Sequence, residues 1–135
     1  MINTITKTLV LGCVNSVIPD DGSVETIGEK AFAMHSFGWS ESLTEIVIPS
    51  TVKHIDYQAF ASTEIKNVVI PQSVKSIDAF AFEGDVELEK VTFERDCVVN
   101  ISAFSGCSKL KTIKIPDPLT IYKSYKNHKG GIEIE

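Results

Sequence analysis

The stretch LTEIVIPSTVKHIDYQAFASTE, from Leu43 to Glu64, is followed at once by IKNVVIPQSVKSIDAFAFEGDVE, and the second reads as a copy of the first. Laying one on the other sets Leu43 on Ile65, Ile46 on Val68, Ile48 on Ile70, Pro49 on Pro71, Val52 on Val74, Ile55 on Ile77 and Ala59-Phe60 on Ala81-Phe82. A period of 22 residues is written into the chain. Self-similarity at such a period marks a solenoid: each copy is one supersecondary unit that cannot bury its apolar side alone, and stacking the copies makes a continuous core.

Within a copy the residue types assign the parts. Leu43, Ile46 and Ile48 are expected to point inward while Glu45 and Val47 point out, as a side-chain period of two requires from residue 46 onward. Pro49 lacks a backbone donor and has a fixed φ, so it ends the ladder at a corner. Val52 and Ile55, three apart, suit a short bent segment on the opposite wall. The Ala-Phe pair then predicts a brief helical turn, alanine for close approach and phenylalanine for filling the middle. Phe32, Phe60, Phe82 and Phe104 are expected to stack as a ladder through the core.

Taken in order, residues 1–19 read as a capping hairpin built from the two β-rich runs of TLVLGCVNSVIP, with Cys13-Val14-Asn15 between them. The repeats fill 20–116. The first, through VETIGEKAF, is two residues longer at Asp20-Asp21-Gly22. About five residues are then inserted in AMHSFGWSES, which holds Phe37 and the only tryptophan, Trp39; insertions of this kind map to loops at one edge of a solenoid, where binding is often placed, and the alternative is that Phe37 and Trp39 fold back to cover the end of the core. The third full copy, Leu88 to Lys109, has Glu94 where the proline is due and is one residue short before Ala103, which predicts an altered corner. The fourth opens as LKTIKIP and then loses the pattern. Residues 117–135 form a C-terminal cap, in which the alternation of Ile132-Glu133-Ile134-Glu135 predicts a last short strand on the open end.

L-x-x-I-x-I-P followed by V-x-x-I-x-x-x-A-F, repeated at this length from Leu9 to Pro116, resembles the BspA-like leucine-rich repeat family of bacterial surface and secreted proteins. That resemblance implies a leucine-rich-repeat solenoid, mainly β with a parallel strand ladder, curved and right-handed. It also implies binding of proteins or glycans through the strand face or loops, commonly on the cell exterior, with no catalytic residues. The family often places a cysteine shortly after Ala-Phe; Cys107 fits, but Asp85 and Thr63 stand at the equivalent places, so no cysteine ladder is expected.

Composition narrows the function from the other side. Thirteen basic against 18 acidic residues give a net charge of −5, which repels nucleic acid and anionic membrane surfaces. No apolar run approaches the ~20 residues of a membrane span, and VLGC at Val10 to Cys13 lacks the apolar segment a lipoprotein signal needs. Cys13, Cys97 and Cys107 cannot all pair among themselves; a Cys97–Cys107 disulfide needs the fold to bring the two together, and buried free thiols are the plainer reading. His35, His54 and His128 fall in the insertion, on the far wall and in the tail, so no catalytic cluster, metal site or cofactor is expected.

Repeats line equivalent positions into rows, and rows make interaction surfaces. The outward strand rows are Thr44, Lys66, Glu89, Lys111, then Glu45, Asn67, Lys90, Thr112, then Val47, Val69, Thr92, Lys114. Ion pairs of Glu45 with Lys90 or Glu89 with Lys111 are within reach of such rows. Val47 and Val69 have no core role there, so the first reading is a noncatalytic protein-interaction module with Phe37, Trp39, Val47, Val69, Lys90 and Lys114 as contacts and another protein, of a host or cell surface, as partner. A carbohydrate-binding protein that stacks sugars on Trp39, Tyr122 and Tyr125 is a second reading, and a self-assembling, homo-oligomeric fragment is a third.

Overall fold

Alternation in the strand segments decides which side chains face a core, and the backbone follows it. The computed structural model describes residues 1–14, 16–33, 42–95, 97–100, 102–114 and 133–134. Among the described residues ten short strands form: β1 (Ile2–Asn3), β2 (Thr8–Leu9), β3 (Thr26–Ile27), β4 (His54–Ile55), β5 (Asn67–Ile70), β6 (Ser76–Ile77), β7 (Lys90–Phe93), β8 (Val98–Val99), β9 (Thr112–Lys114) and β10 (Glu133–Ile134). One wall is a six-stranded sheet in the order β1-β2-β3-β4-β6-β8, and the other a four-stranded sheet in the order β10-β9-β7-β5. Apart from the antiparallel β1–β2 pair, every described pairing is parallel.

The register is that of the repeat. Ile27 pairs with Ile55, Ile55 with Ile77 and Ile77 with Val99 on one wall; Val68 pairs with Val91 and Val91 with Ile113 on the other. These residues lie in one buried cluster between the walls, together with Leu43, Ile65, Leu88 and Leu110. Leu43 and Ile48 are buried and Ile46 packs partly against the core, as alternation requires, but 43–48 does not join the ladder as a strand. The Glu64 N–H donates to Leu43 O at 2.9 Å and ties this segment to the next coil.

Pro49 and Pro71 turn the chain from one wall to the other, each carbonyl accepting the N–H three residues on, from Val52 and Val74, at 3.1 Å. In the third coil Glu94 stands at that corner, and its Oε2 accepts the Gln72 N–H of the coil before at 3.1 Å. The missing residue is absorbed between Glu94 and β8: Ser76 still pairs with Val98 and Ile77 with Val99, and Cys97 is buried. The altered corner expected there is thereby located.

No helix forms around Ala-Phe in the described residues; the pair sits in consecutive tight turns instead. Ala59 N–H donates to Asp56 O and Ala61 N–H to Gln58 O, and the same pattern recurs at Ala81 and Glu83 and at Ala103 and Ser105. The reason lies in the flanking backbone. Lys30, Gln58 and Phe80, each just before the alanine, have φ of 56°, 52° and 58°, while Ser62, Gly84 and Gly106, two after the phenylalanine, have φ of 60°, 70° and 76°. A left-handed residue on either side stops a helix from propagating.

The phenylalanine ladder is present. Phe32 and Phe60 stack with centroids 5.2 Å apart, Phe60 and Phe82 at 5.1 Å, and Phe82 and Phe104 at 5.2 Å, with interplanar angles of 4°, 13° and 17°. Gly12 closes its N-terminal end: a Cβ there would lie 2.1 Å from Phe32 Cε1, so only glycine lets the backbone pass over the ring, and its N–H bonds Ala31 O at 2.8 Å.

The N-terminal hairpin lies earlier in the chain than the runs flanking Cys13-Val14-Asn15 suggested. It joins Ile2–Asn3 to Thr8–Leu9. Asn3 Oδ1 accepts the N–H groups of Ile5 and Thr6, and Lys7 adopts φ 52°, so a side-chain-closed turn does the work that the sequence had assigned to Asn15. Thr8–Leu9 already belongs to the solenoid wall, paired with Thr26–Ile27. At the other end β10 pairs in parallel with β9, as the alternation of the last residues predicted.

Truncating a ring in the middle of the ladder leaves a cavity with rings on both sides. Phe60→Ala and Phe82→Ala are each expected to cost ~3 to 5 kcal/mol in denaturant titrations, and Phe32→Ala at the end of the stack less than either. Near-wild-type stability for both central variants would refute the ladder as a core element.

Candidate interaction surfaces

The outward rows are where the alternation places them. Thr44, Lys66, Glu89 and Lys111 are exposed, as are Glu45, Asn67 and Lys90. In the third row Val47 and Val69 are 81% and 51% exposed, Thr92 is half-buried and Lys114 is exposed. A third valine extends this row: Val17, before Ile18-Pro19 as Val47 is before Ile48-Pro49, is 87% exposed. Three consecutive coils thus present a large apolar side chain to solvent at one register, followed by Thr92 and Lys114. Sequence reasoning passed over Val17 because it assigned that segment to the cap; the repeated Val-Ile-Pro tripeptide was the available signal. Phe37 and Trp39, and the tail tyrosines and lysines, lie outside the described residues.

Glu45, Lys90, Glu89 and Lys111 form no ion pairs with one another; the described ion pairs run elsewhere. Glu25 bridges two coils, its Oε1 2.8 Å from Lys7 Nζ and its Oε2 2.7 Å from Lys53 Nζ, and hydrogen bonds from Lys53 and Lys7 hold its carboxyl down to about 2. Glu87 meets Lys109 at 2.7 Å across the next coil boundary.

The interior holds the most perturbed groups. Thr63, Asp85 and Cys107 occupy one place on three successive coils, as their spacing indicated, and all are buried. Asp85 Oδ1 accepts the Thr63 N–H at 2.6 Å, and Cys107 Sγ donates to Phe82 O at 3.0 Å. Burial pushes the Asp85 carboxyl up to about 8, against the opposing pull of the Thr63 N–H and side chain. Asp85 Oδ2 and Thr63 Oγ1 are both buried without a hydrogen-bond partner. Burial, then the neighbouring Asp85, pushes the Cys107 thiol up to about 12, which leaves it protonated and inert as a nucleophile. Cys97 and Cys107 are buried and Cys13 is exposed, and no disulfide joins them. On the wall, His54 Nδ1 lies 2.7 Å from Ser76 Oγ, which accounts for this imidazole structurally. Among the described residues no group of three His, Cys, Asp or Glu side chains is arranged to hold a metal ion. Among the described residues no helix is long and apolar enough to cross a membrane.

A carboxyl raised by folding has a signed consequence. Between about 4 and 8 the folded chain keeps the Asp85 proton that the unfolded chain has lost, so stability must fall as pH rises through this window and level off above it. Asp85→Asn keeps an acceptor for the Thr63 N–H and does not titrate. The wild type is expected to lose on the order of a few kcal/mol relative to this variant between pH 4 and 8, measured by denaturant titration. A constant difference across that range would mean that Asp85 folds ionised.

Comparison with known proteins bears on the same architecture. The BspA type leucine rich repeat region, in six copies, matches residues 33–129. No curated protein matches the chain. The crystal structure of a leucine-rich repeat protein from Bacteroides ovatus ATCC 8483 is similar, with 36% identity and a TM-score of 0.59 over 74% of this chain and 24% of that one. The chain spans about a quarter of the length of that protein.

Proposed function

The chain belongs to the BspA-type leucine-rich repeat family, and from that premise we propose that it is a noncatalytic protein-interaction module which meets a host or cell-surface protein on its outward valine row. The observation that carries the reading is the exposure of Val17, Val47 and Val69 at one register of consecutive coils. A large apolar side chain that serves neither core nor turn, repeated at one register of successive coils, suits an association surface. Lys90 and Lys114 border it, an arrangement of apolar centre and charged rim that suits a protein partner. Phe37 and Trp39, in the insertion that follows Phe32 in the sequence, are further candidate contacts. The outward strand rows carry no aromatic side chain, so a sugar stacking on this face has no platform there; that favours protein over neutral glycan. Secretion or surface display follows the habit of the family.

Hydrogen exchange of the chain, with and without extracts of cell-surface material, tests the face. Protection is expected around Val47 and Val69, and a Val47→Asp, Val69→Asp double variant should lose it by tenfold or more in affinity, about 1.4 kcal/mol, while melting as the wild type does. Protection unchanged in that variant would place the contact elsewhere and overturn the reading.

A further inference from the structure

Two further places are built where coils meet. A groove lies beyond the proline corners, but its Lys53 is already held by Glu25, and its Thr51 and Ser73 hydroxyls are buried out of a ligand's reach. The second place is the outer face of the six-stranded wall, where the chain leaves β4 and β6 for the Ala-Phe turns.

Tyr57 and Phe80 meet there edge to face, ring centroids 5.8 Å apart at 87°, one ring from each of two adjoining coils. Tyr57 is 37% exposed and Phe80 half-buried, and neither belongs to the buried core cluster. The turn does not account for Phe80 either. Its φ of 58° is one that a bulky residue rarely takes, and the same register elsewhere holds Lys30, Gln58 and Ser102. An aromatic pair that serves neither core nor turn is available to a ligand.

Charge says which ligand. Asp56 and Asp78 precede the two turns at one register of the same coils, the first half-buried and the second exposed. Neither makes an ion pair among the described residues. The groups that face Asp56 are Asp78, His54 and Glu29, and its carboxyl is raised by burial first and then by the Asp78 charge. His54 is taken up by Ser76, 2.7 Å away. Glu29 reaches Lys30, its neighbour in sequence, at 3.5 Å between exposed side chains. Two like charges therefore stand on successive coils beside an exposed aromatic pair, with no cation of the described residues paired to either.

We propose that this face docks an arginine-bearing segment of a basic partner protein. A guanidinium stacks on the Tyr57 ring and donates to the Asp56 and Asp78 carboxylates, since its planar fork suits ring and carboxylates together. A lysine ammonium is a compact point charge and matches them less well. A neutral sugar would leave the repulsion between the carboxylates in place. This face and the valine row share no residue, so either reading can fail without the other.

Titration calorimetry with tetra-arginine tests it at about 0.15 M salt, where long-range attraction is largely screened, against tetralysine and cellotetraose. Tetra-arginine is expected to bind more tightly than tetralysine, and cellotetraose not to bind. Asp78→Asn, which keeps the acceptor for the Ala79 N–H, and Tyr57→Ala should each weaken tetra-arginine at least about tenfold. Glu45→Gln, the same change in net charge on the strand face, should leave the affinity unchanged; it and Asp78→Asn should melt as the wild type does. The proposal is overturned if tetra-arginine does not bind, if tetralysine or cellotetraose binds as well, if Asp78→Asn and Glu45→Gln behave alike, or if Tyr57→Ala binds as the wild type does.

Discussion

Every coil of this chain is completed by its neighbours, and the stacking of Phe32, Phe60, Phe82 and Phe104 is the contact on which that completion depends. A single coil has two thin walls of two to four residues each and nothing to close them. The ring of one coil stacks near-parallel on the ring of the next, with centroids 5.1 to 5.2 Å apart. Around the rings the backbone is tied in opposite directions. On the six-stranded wall the later coil donates, as Asp56 does to Ile27 O and Asp78 to Ile55 O; at the Ala-Phe turns the earlier coil donates, as Phe32 does to Ala59 O and Phe60 to Ala81 O. An interior coil is therefore held from both sides by groups it cannot satisfy alone, which is the nearest-neighbour energetics of a solenoid.

Departures from the consensus are absorbed by the same neighbours. Where Glu94 replaces proline, its carboxylate accepts an N–H from the coil before. Where Asp85 enters a place that threonine and cysteine hold in the adjoining coils, burial raises its carboxyl toward the neutral form, in which it can donate as well as accept. Interior polarity here serves the coil junctions and supplies no exposed nucleophile or acid to solvent.

Much of this was legible in the sequence. The inward and outward rows and the phenylalanine ladder follow from a period of 22 residues together with a side-chain period of two, because both are rigid geometric constraints, and the final strand follows from the alternation of the last residues. What escaped has local causes. The Ala-Phe turn is not helical because Gln58, Phe80 and Ser62 accept positive φ, a tolerance that nothing in those residue types announces. The hairpin was misplaced because its turn is closed by the Asn3 side chain and not by a glycine. Val17 was left out of the outward rows because its segment was read as part of the cap, and the corner groove was missed because it arises only where coils meet.

Two surface features follow from this construction, a row of exposed valines on the strand side and a groove beyond the corners, and both exist only while the coils stay in register. Register is therefore what should be tested first. Removing residues 65–87, one whole coil, leaves Glu64 joined to Leu88 and Phe60 in place to stack on Phe104. Circular dichroism with denaturant titration of that deletion should show a folded, cooperatively unfolding chain of reduced stability, because equivalent coils can re-form the same junction. A chain that is unfolded at zero denaturant would contradict the account, since it would mean that particular pairs of coils, and not the repeated register, hold the structure together.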